Sequence, residues 1–431
     1  MNLDGLVASL EDIVGASHVA GNPSLSECMI QPRLLVWPAS REEVAECLRL
    51  CQDWGASVVP AGAGTWLDGG NTVRSADVVV SLRRMNRVIE YSPPDLTATV
   101  EAGVTLTDLN QSAKENLQWL PLDPPGDLLS TLGGIVACGS SGPLRFGFGA
   151  ARDYTLGLSL AHADGTVSKS GGKVVKNVAG YDMTKLYGGS FGTLAVITQV
   201  TLKLRPLPDR SATVFVSAHE SGELLDLAKD LLSAAIRPAS LLVLNKNLSA
   251  RLNLSRFAPV LLVRFLDGEI AVRSQIEKVT AAASRYGRAE LLPEPDEQRI
   301  WRAIADLDRE ADTCLKVSAQ ISLIDVVGAL AEEVAGATAP ESKLMATDAG
   351  AGIIRLAFDA DPDEAPAMVN RIRDGLTTLG ATVFLERAAA ELKDEVGAWN
   401  DPGPAGAIMR TIKDKLDPKG ILSPGRMTTG V

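Results

Sequence analysis

Glycine is concentrated in one third of the chain, where twenty of the 39 glycines lie between Gly62 and Gly192. Glycine loses more conformational freedom on folding than any other residue, so this density is expected only where the backbone needs positive φ angles or must approach a ligand closely. The first cluster lies in VVPAGAGTWLDGG at 58–70, where four glycines follow a short apolar run that is typical of a buried strand. It lacks the Gly-Lys-Ser/Thr of a P-loop and the third glycine of a Rossmann fingerprint. The sequence therefore predicts a ligand-binding loop of another kind.

The length and charge of the chain limit what it can be. With 431 residues, of which 46% are hydrophobic, it can bury two or three cores. Its net charge of −11 argues against binding nucleic acid or an anionic membrane, because a negative protein is repelled by both. We see no apolar run near the roughly 18 residues of a membrane span and no basic region of a signal peptide. We therefore expect a cytoplasmic protein without direct membrane insertion, associated with a membrane only through a partner.

Cysteine and histidine are scarce. The five cysteines contain no C-x-x-C pair, and the three histidines are His18, His162 and His219. An iron–sulfur cluster needs several cysteine thiolates, and zinc sites in proteins draw on cysteine and histidine. The sequence therefore predicts neither a cluster nor a metal site in this chain.

The pattern of helices and strands changes along the chain. Residues 37–65 predict a helix with Ser40 as N-cap and Glu43 in a capping box, a stop at Gly55, a strand and the glycine loop. After LKLRPLPDR at 202–210, strands and helices alternate without glycine-rich loops, which is typical of a compact α+β domain. The segment IMRTIKDKLDPKGILSPGRM, at 408–427, predicts a helix followed by turns that belong with the first domain.

A second glycine-rich block, at 124–204, carries a family resemblance. Its segments GGKVVKNVAGYDMTKL (171–186) and GSFGTLAVITQVTLKL (189–204), taken with PAGAGT (60–65) and DPKGILSPGR (417–426), resemble FAD-binding oxidoreductases of the vanillyl-alcohol oxidase (PCMH) type. More narrowly, they resemble the smaller of the two flavoprotein subunits of bacterial glycolate oxidase. The resemblance covers about residues 30–206 and 385–428. It implies an α+β fold with a two-part FAD-binding domain, residues 1–206 and a returning segment 387–431, and an α+β cap domain at 207–386.

The resemblance implies that both glycine-rich blocks bind FAD. Successive N–H groups of the first loop would form a nest for the pyrophosphate, and small residues of the second block would form a thin wall. Polar groups of KNVAGYD and a nearby cation would meet the flavin, whose reduced form is stabilised by positive charge near N1. Because the first loop has no histidine to form a covalent link, we expect noncovalent FAD. The predicted FAD-binding residues are Ala61, Gly62, Ala63, Gly64, Thr65, Ser130, Thr131, Gly133, Gly134, Ser141, Gly142, Arg145, Lys173, Asn177, Gly180, Asp182, Gly192, Val196, Ile197 and Arg426.

The sequence is less informative about a catalytic base. Proteins of this type that oxidise D-lactate, 2-hydroxyglutarate or glycolate carry an H-x-G-D-G-N-x-H-like stretch in the cap, which supplies the base and metal ligands. This chain has no histidine after His219. A base must come within hydrogen-bonding reach of the proton that it removes. The remaining candidates are Tyr181, Asp182 and Glu386, and Arg387 could clamp a substrate carboxylate.

The leading prediction is a noncovalent FAD-binding subunit of a glycolate or other 2-hydroxy-acid oxidase (dehydrogenase) complex. It would relay electrons between a catalytic flavoprotein subunit and an iron–sulfur subunit, with a small 2-hydroxy acid as the substrate of the complex. One alternative is a self-sufficient FAD-linked dehydrogenase of a hydroxy acid or alcohol that uses Tyr181 or Glu386. Another is a structural subunit with a vestigial flavin site, against which the intact PAGAGT and STLGG motifs count.

Overall fold

The computed structural model describes residues 3–23, 30–126, 129–173, 181–234, 236–336 and 343–428. The first elements are α1 (Leu3–Val14), β1 (Val19–Gly21), β2 (Leu34–Val36), α2 (Arg41–Trp54), β3 (Val58–Ala61) and β4 (Val78–Ser81). The four strands form a sheet of order β1-β2-β4-β3, in which β2, β4 and β3 run parallel. α1 packs on α2 and on β2, and both helices share one core with β2, β3 and β4.

Both ends of α2 form as the sequence predicts. The Ser40 hydroxyl accepts a hydrogen bond from the N–H of Glu43 at 3.1 Å, and the Glu43 carboxylate accepts one from the N–H of Ala39 at 2.8 Å. Gly55 ends the helix in the left-handed region, with a φ of 66°, which glycine adopts at little cost. These caps fix the point at which β3 and the glycine loop begin.

A second sheet follows in the chain. Its region contains β5 (Val88–Ser92), β6 (Thr97–Glu101), α3 (Leu106–Lys114), β7 (Gln118–Trp119), α4 (Leu132–Cys138), α5 (Arg145–Phe148), α6 (Ala151–Tyr154), β8 (Thr155–Ala161), β9 (Val167–Gly171), α7 (Thr184–Tyr187), β10 (Val196–Lys203) and β11 (Arg205–Pro206). Five strands form an antiparallel sheet of order β5-β6-β10-β8-β9, and β7 pairs with β11. Val100 of β6 and Val200 and Leu202 of β10 are buried in one core with α1 and α2.

The cap is built on one eight-stranded antiparallel sheet of order β15-β12-β14-β13-β17-β18-β16-β19. Its elements and those after it are β12 (Arg210–Ser217), α8 (Ser221–Ser233), β13 (Ser240–Leu244), α9 (Lys246–Arg251), β14 (Val260–Asp267), α10 (Glu269–Ala283), β15 (Ala289–Leu291), α11 (Glu294–Ala305), β16 (Thr313–Ser318), α12 (Ile324–Gly336), β17 (Leu344–Asp348), β18 (Ile353–Phe358), α13 (Ala365–Thr377), β19 (Thr382–Arg387), α14 (Ala390–Val396) and α15 (Ala405–Leu416). Short 3₁₀ turns lie at Ala16–His18, Leu82–Arg84, Pro93–Asp95, Leu307–Arg309 and Ile321–Leu323. This mixture of helices and sheets confirms the predicted α+β class.

The two faces of the cap sheet differ. Leu315 and Val317 of β16 lie in the core that the cap helices cover. The alternate residue Lys316 therefore projects from the opposite face, where it is the cross-strand partner of Arg355 on β18. This opposite face packs a second core with α9 and α11, and Arg355 forms an ion pair there with Glu386.

The C-terminal segment returns to the first unit. The N–H of Val58 donates to the carbonyl of Ile421 at 2.7 Å, and Leu422 is buried in the first core. Leu392 and Ala398, however, are buried in the cap core. The predicted boundaries stay a prediction, and packing with the cap core extends at least as far as Ala398. Within the described ranges, no helix combines the length and apolarity needed to cross a membrane.

Candidate functional site

The two glycine-rich blocks meet around one cavity, which we call the glycine cavity. It lies between the loop after β3, the first turns of α4 and the segment that leads into β10. Twelve predicted binding residues line it: Ala61, Gly62, Ala63, Gly64, Thr65, Thr131, Gly133, Gly134, Gly192, Val196, Ile197 and Arg426. Residues far apart in sequence are therefore brought to one surface.

The glycines of this cavity allow its loops to approach closely. Gly64 has a φ of +90°, which a β-branched residue adopts only with strain. A Cβ atom at Gly62 would lie 1.9 Å from Oγ1 of Thr131, so the two loops could not approach as they do. Thr131 is the N-cap of α4, and its hydroxyl accepts a hydrogen bond from the N–H of Gly134 at 3.3 Å. The result is a cavity wall made largely of bare backbone.

Arg426 places a buried cation at this wall. Only 3% of the residue is exposed, and its Nη1 donates to the carbonyls of Leu67 and Gly69, each at 2.6 Å. The chain reversal through Gly425, whose φ is +87°, brings this side chain back to the loop after β3. The C-terminal turn is therefore part of the site.

Other predicted binding residues lie elsewhere. The Ser130 hydroxyl donates to the carbonyl of Gly126 at 3.2 Å. Ser141 and Gly142 line a small cleft against the cap, and Arg145 donates to the Ser141 hydroxyl at 3.3 Å. Two further residues make exposed pairs: Lys173 with Glu90, and Asp182 with Thr184 and Lys185. Asn177 and Gly180 lie outside the described residues.

Several lining residues were not predicted. They include Trp66, Leu67, Cys138 and Phe191. Trp66 and Leu67 directly follow the predicted loop, and Phe191 precedes the predicted Gly192, so adjacency to a predicted glycine is the signal that could have found them. Apolar side chains in such positions have no pattern that separates them from ordinary core residues.

The three predicted catalytic residues are not free at the glycine cavity. Glu386, whose side chain is 11% exposed, forms an ion pair with Arg355, with Nε and Oε2 2.9 Å apart. Burial alone would raise the pKa of the Glu386 carboxyl, but Arg355 and Lys316 lower it, and the net shift is downward. Arg387 pairs with Asp68 at 3.6 Å, and Tyr181 is 93% exposed. A carboxylate held in this way is a poor proton acceptor.

The chain is similar to known proteins that bind FAD. An FAD binding domain matches residues 32–171, and the C-terminal domain of FAD linked oxidases matches residues 392–427. Glycolate oxidase subunit GlcD of Bacillus subtilis (strain 168) is 27% identical over 418 residues, which are 92% of this chain and 89% of that protein. A probable mitochondrial D-lactate dehydrogenase of Danio rerio is 27% identical over 434 residues, which are 92% of this chain and 84% of that protein.

A solved structure shows the same fold. The crystal structure of p-cresol methylhydroxylase (PCMH) with substrate bound has a TM-score of 0.77 at 16% identity, covering 98% of this chain and 96% of that one. The chain is an FAD-dependent oxidoreductase with the PCMH-type fold. Its predicted cofactor, FAD, is thereby confirmed, and the individual site residues stay predictions.

The glycine cavity of this PCMH-type oxidoreductase fits FAD. A pyrophosphate needs N–H donors from backbone that it can approach closely, and the loop Ala61–Thr65 offers both at the positive φ of Gly64. The Thr131 hydroxyl and the thin wall at Gly133 and Gly134 would lie against the rest of the cofactor. Arg426 supplies the positive charge that a reduced flavin or a phosphate would require.

Three buried carboxyls predict how the stability of this oxidoreductase depends on pH. Burial raises the pKa of Asp123, Asp348 and Asp308 to about 7 in each case. Asp123 and Asp348 accept backbone hydrogen bonds, whereas Oδ1 of Asp308, which is 5% exposed, has no partner. The folded chain therefore binds more protons than the unfolded chain between about pH 4 and pH 7, and its stability falls as pH rises through that window.

We expect Asp308→Asn to remove part of this dependence. The amide is neutral at every pH, so the unfolding free energy of the variant, relative to that of the native chain, should rise by up to about 3 kcal/mol between pH 5 and pH 8. Urea unfolding of the FAD-free chain from pH 5 to pH 8 measures this difference. Asp312→Asn, at an exposed position, is the control. Equal pH slopes for the native chain and Asp308→Asn would contradict the assignment.

Proposed function

We propose that this oxidoreductase is the noncovalent FAD-binding subunit of a glycolate or other 2-hydroxy-acid oxidising complex, in which it relays electrons between a catalytic flavoprotein and an iron–sulfur subunit. The resemblance of residues 171–204 to the smaller flavoprotein subunit of glycolate oxidase supports the proposal that the chain is the relay subunit. The names of its relatives, a glycolate oxidase subunit and a D-lactate dehydrogenase, support the substrate class. Association with a membrane, where it occurs, would be made through these partners.

The state of Glu386 is the observation that carries this proposal. Oxidation of a 2-hydroxy acid removes a hydroxyl proton as a hydride leaves the adjacent carbon, and bound FAD supplies the acceptor for that hydride. The hydroxyl proton requires a base. Glu386 is held as a carboxylate by Arg355, whose Nη2 also donates to the carbonyl of Ser141 at 2.6 Å. Its lowered pKa makes it unsuited to take that proton.

The residues of the chain have clear roles under this proposal. The loop Ala61–Thr65 binds the cofactor, and the α4 N-terminus with Gly192–Ile197 closes the other side of the cavity. The Arg355–Glu386 pair joins the cap to Ser141 without offering a base. The chain would thus hold a flavin that its own cap does not equip for rapid substrate oxidation.

One observation favours the alternative, a self-sufficient dehydrogenase. Asp308 is a buried carboxyl with a pKa raised to about 7 by burial and by nearby Glu386, a value that suits a general base. Residues on both sides of Asp308 reach the first domain: Asp306 accepts a hydrogen bond from the N–H of Gly126 at 2.9 Å, and Arg309 donates one to the carbonyl of Thr65 at 3.1 Å. Asp308 is therefore the residue on which the alternative would rest.

Two substitutions distinguish the proposal from the alternative. With the isolated FAD-loaded chain and glycolate or D-lactate, we expect Glu386→Gln and Asp308→Asn to leave the slow dye-reduction rate within about twofold of native. The exposed substitution Glu391→Gln is the control. If either substitution lowered the rate by about 10²-fold, the loss expected for a general base, that residue would be catalytic and the chain self-sufficient.

A further inference from the structure

A fully buried lysine lies on α14. Lys393 is 2% exposed, although it belongs to a short surface helix. Burying an ammonium group is costly unless it is paired or hydrogen-bonded. Its Nζ donates to the backbone carbonyl of Asp68, 325 positions earlier in the chain. This contact joins the cap to the loop that follows β3.

Arg426 binds the same stretch of backbone from the C-terminal turn. Its Nη1 donates to the carbonyls of Leu67 and Gly69, at 2.6 Å each. Two cations from different parts of the chain therefore hold three consecutive carbonyls, those of residues 67, 68 and 69. Arg387, on β19, pairs with the Asp68 carboxylate at 3.6 Å. Three cationic side chains therefore contact residues 67–69.

This loop, which we call the 66–69 loop, is part of the cavity wall. Trp66 and Leu67 line the glycine cavity. The N–H of Leu67 donates to the carbonyl of Gly64 at 3.2 Å, and that of Gly69 donates to the carbonyl of Trp66 at 3.0 Å. A shift of Asp68 would therefore be transmitted to Gly64 and the phosphate-binding nest.

We propose that Lys393 is a positioning residue for FAD: by holding the carbonyl of Asp68, it fixes the 66–69 loop in the conformation that binds the cofactor. Lys393 does not line the cavity itself, so it acts through Asp68 and Leu67. The cap helix α14 thereby contributes to FAD affinity without touching the cofactor.

Charge strengthens this role. Two cations, Arg426 and Arg387, and one carboxylate, Asp68, act on the charge of Lys393, so the cluster has excess positive charge beside a cavity that fits a dianionic pyrophosphate. Burial, together with Arg426 and Arg387, lowers the pKa of Lys393 to about 8, although Asp68 opposes the shift. As pH rises through this value the ammonium loses its charge, and the affinity for FAD should fall.

Replacement of Lys393 tests the proposal by direct FAD titration of the cofactor-free chain, followed by flavin fluorescence. We expect Lys393→Met to raise the dissociation constant of FAD about 10- to 100-fold at pH 7, the range of a lost charge-assisted hydrogen bond. Lys393→Arg should recover most of the affinity. The control is Lys343→Met, which removes another buried lysine that donates to a carbonyl, that of Glu332 at 2.6 Å, within the cap. It should leave FAD affinity unchanged.

The pH profile separates positioning from a general loss of structure. Between pH 7 and pH 9 the native chain should lose FAD affinity more steeply than Lys393→Met, whose side chain has no proton to lose. If Lys393→Met fails to fold, the pH dependence of FAD affinity is compared between the native chain and Lys393→Arg, whose guanidinium keeps its proton. FAD affinity of Lys393→Met equal to native, or a native affinity that is constant across this range, would overturn the proposal. Neither result depends on the substrate or partners of the chain.

Discussion

Mixing the FAD-loaded chain with a histidine-motif flavoprotein and an iron–sulfur subunit of a hydroxy-acid oxidase should raise dye reduction by glycolate or D-lactate about 10²- to 10⁴-fold over this chain alone. The expected size is that of general base catalysis, which the partner would supply and which Glu386, paired with Arg355 at 2.9 Å, does not. Steady-state dye assays at fixed chain concentration measure the increase.

The relay role adds a stricter requirement to this experiment. The mixture must also exceed the rate of the two partners without this chain, because an electron relay contributes only when its own flavin is used. A variant chain that cannot bind FAD should give no such gain. If the two partners reduce the dye equally fast without this chain, the proposed relay role is contradicted.

Gly64→Val provides that variant and has the second large expected effect. The φ of +90° at this position strains a β-branched residue by on the order of 1–3 kcal/mol, and the added side chain would stand where the phosphate approaches. We expect the dissociation constant of FAD to rise on the order of 10²-fold or more, so that the purified variant is nearly colourless. Flavin absorbance relative to protein absorbance measures the occupancy.

A matched substitution controls for backbone strain alone. Gly380, in the cap, also has a positive φ, of +72°, and no atom lies within 4 Å of the position that its Cβ would take. Gly380→Val should cost stability without changing FAD content. Full occupancy in Gly64→Val would show that the loop after β3 does not hold the pyrophosphate.

The sequence predicted the parts of the site that lie in its glycine-rich blocks. Each short motif is weak alone, but the order and spacing of the motifs carry the resemblance to PCMH-type proteins. That resemblance pointed to Ala61–Thr65 and to Thr131, Gly133 and Gly134, which line one cavity in the structure. The alternation of strands and helices after residue 210 likewise predicted an α+β cap.

The state of Glu386 could not be predicted in this way. Arg355 lies on β18 and Glu386 on β19, and β16 lies between these two strands in the sheet. A core-edge ion pair at 386–387 could be suspected from the sequence. A single sequence does not reveal strand order, however, so it could not show that Glu386 pairs with Arg355 and Arg387 with Asp68. Tyr181 likewise stands in a glycine-rich segment, yet it is 93% exposed.

The contact of Lys393 is also long-range, which explains why its position at the site could not be predicted from the sequence. Its partner carbonyl lies 325 positions away, and neighbouring residues of α14 are typical of an exposed helix. The same reason applies to Lys173, predicted near the flavin but paired with Glu90 on β5. Backbone carbonyls carry no sequence signal, so such contacts are visible only in three dimensions.

The most direct test of the central claim is anaerobic addition of glycolate or D-lactate to the purified FAD-loaded chain, with the flavin absorbance near 450 nm followed over time. Heat denaturation of the same sample should release free FAD, which establishes that the observed flavin is bound noncovalently. We predict that the absorbance persists without partners and bleaches rapidly once the histidine-motif flavoprotein is added. Rapid bleaching by either acid in the absence of any partner would contradict the relay and show that the chain oxidises its own substrate.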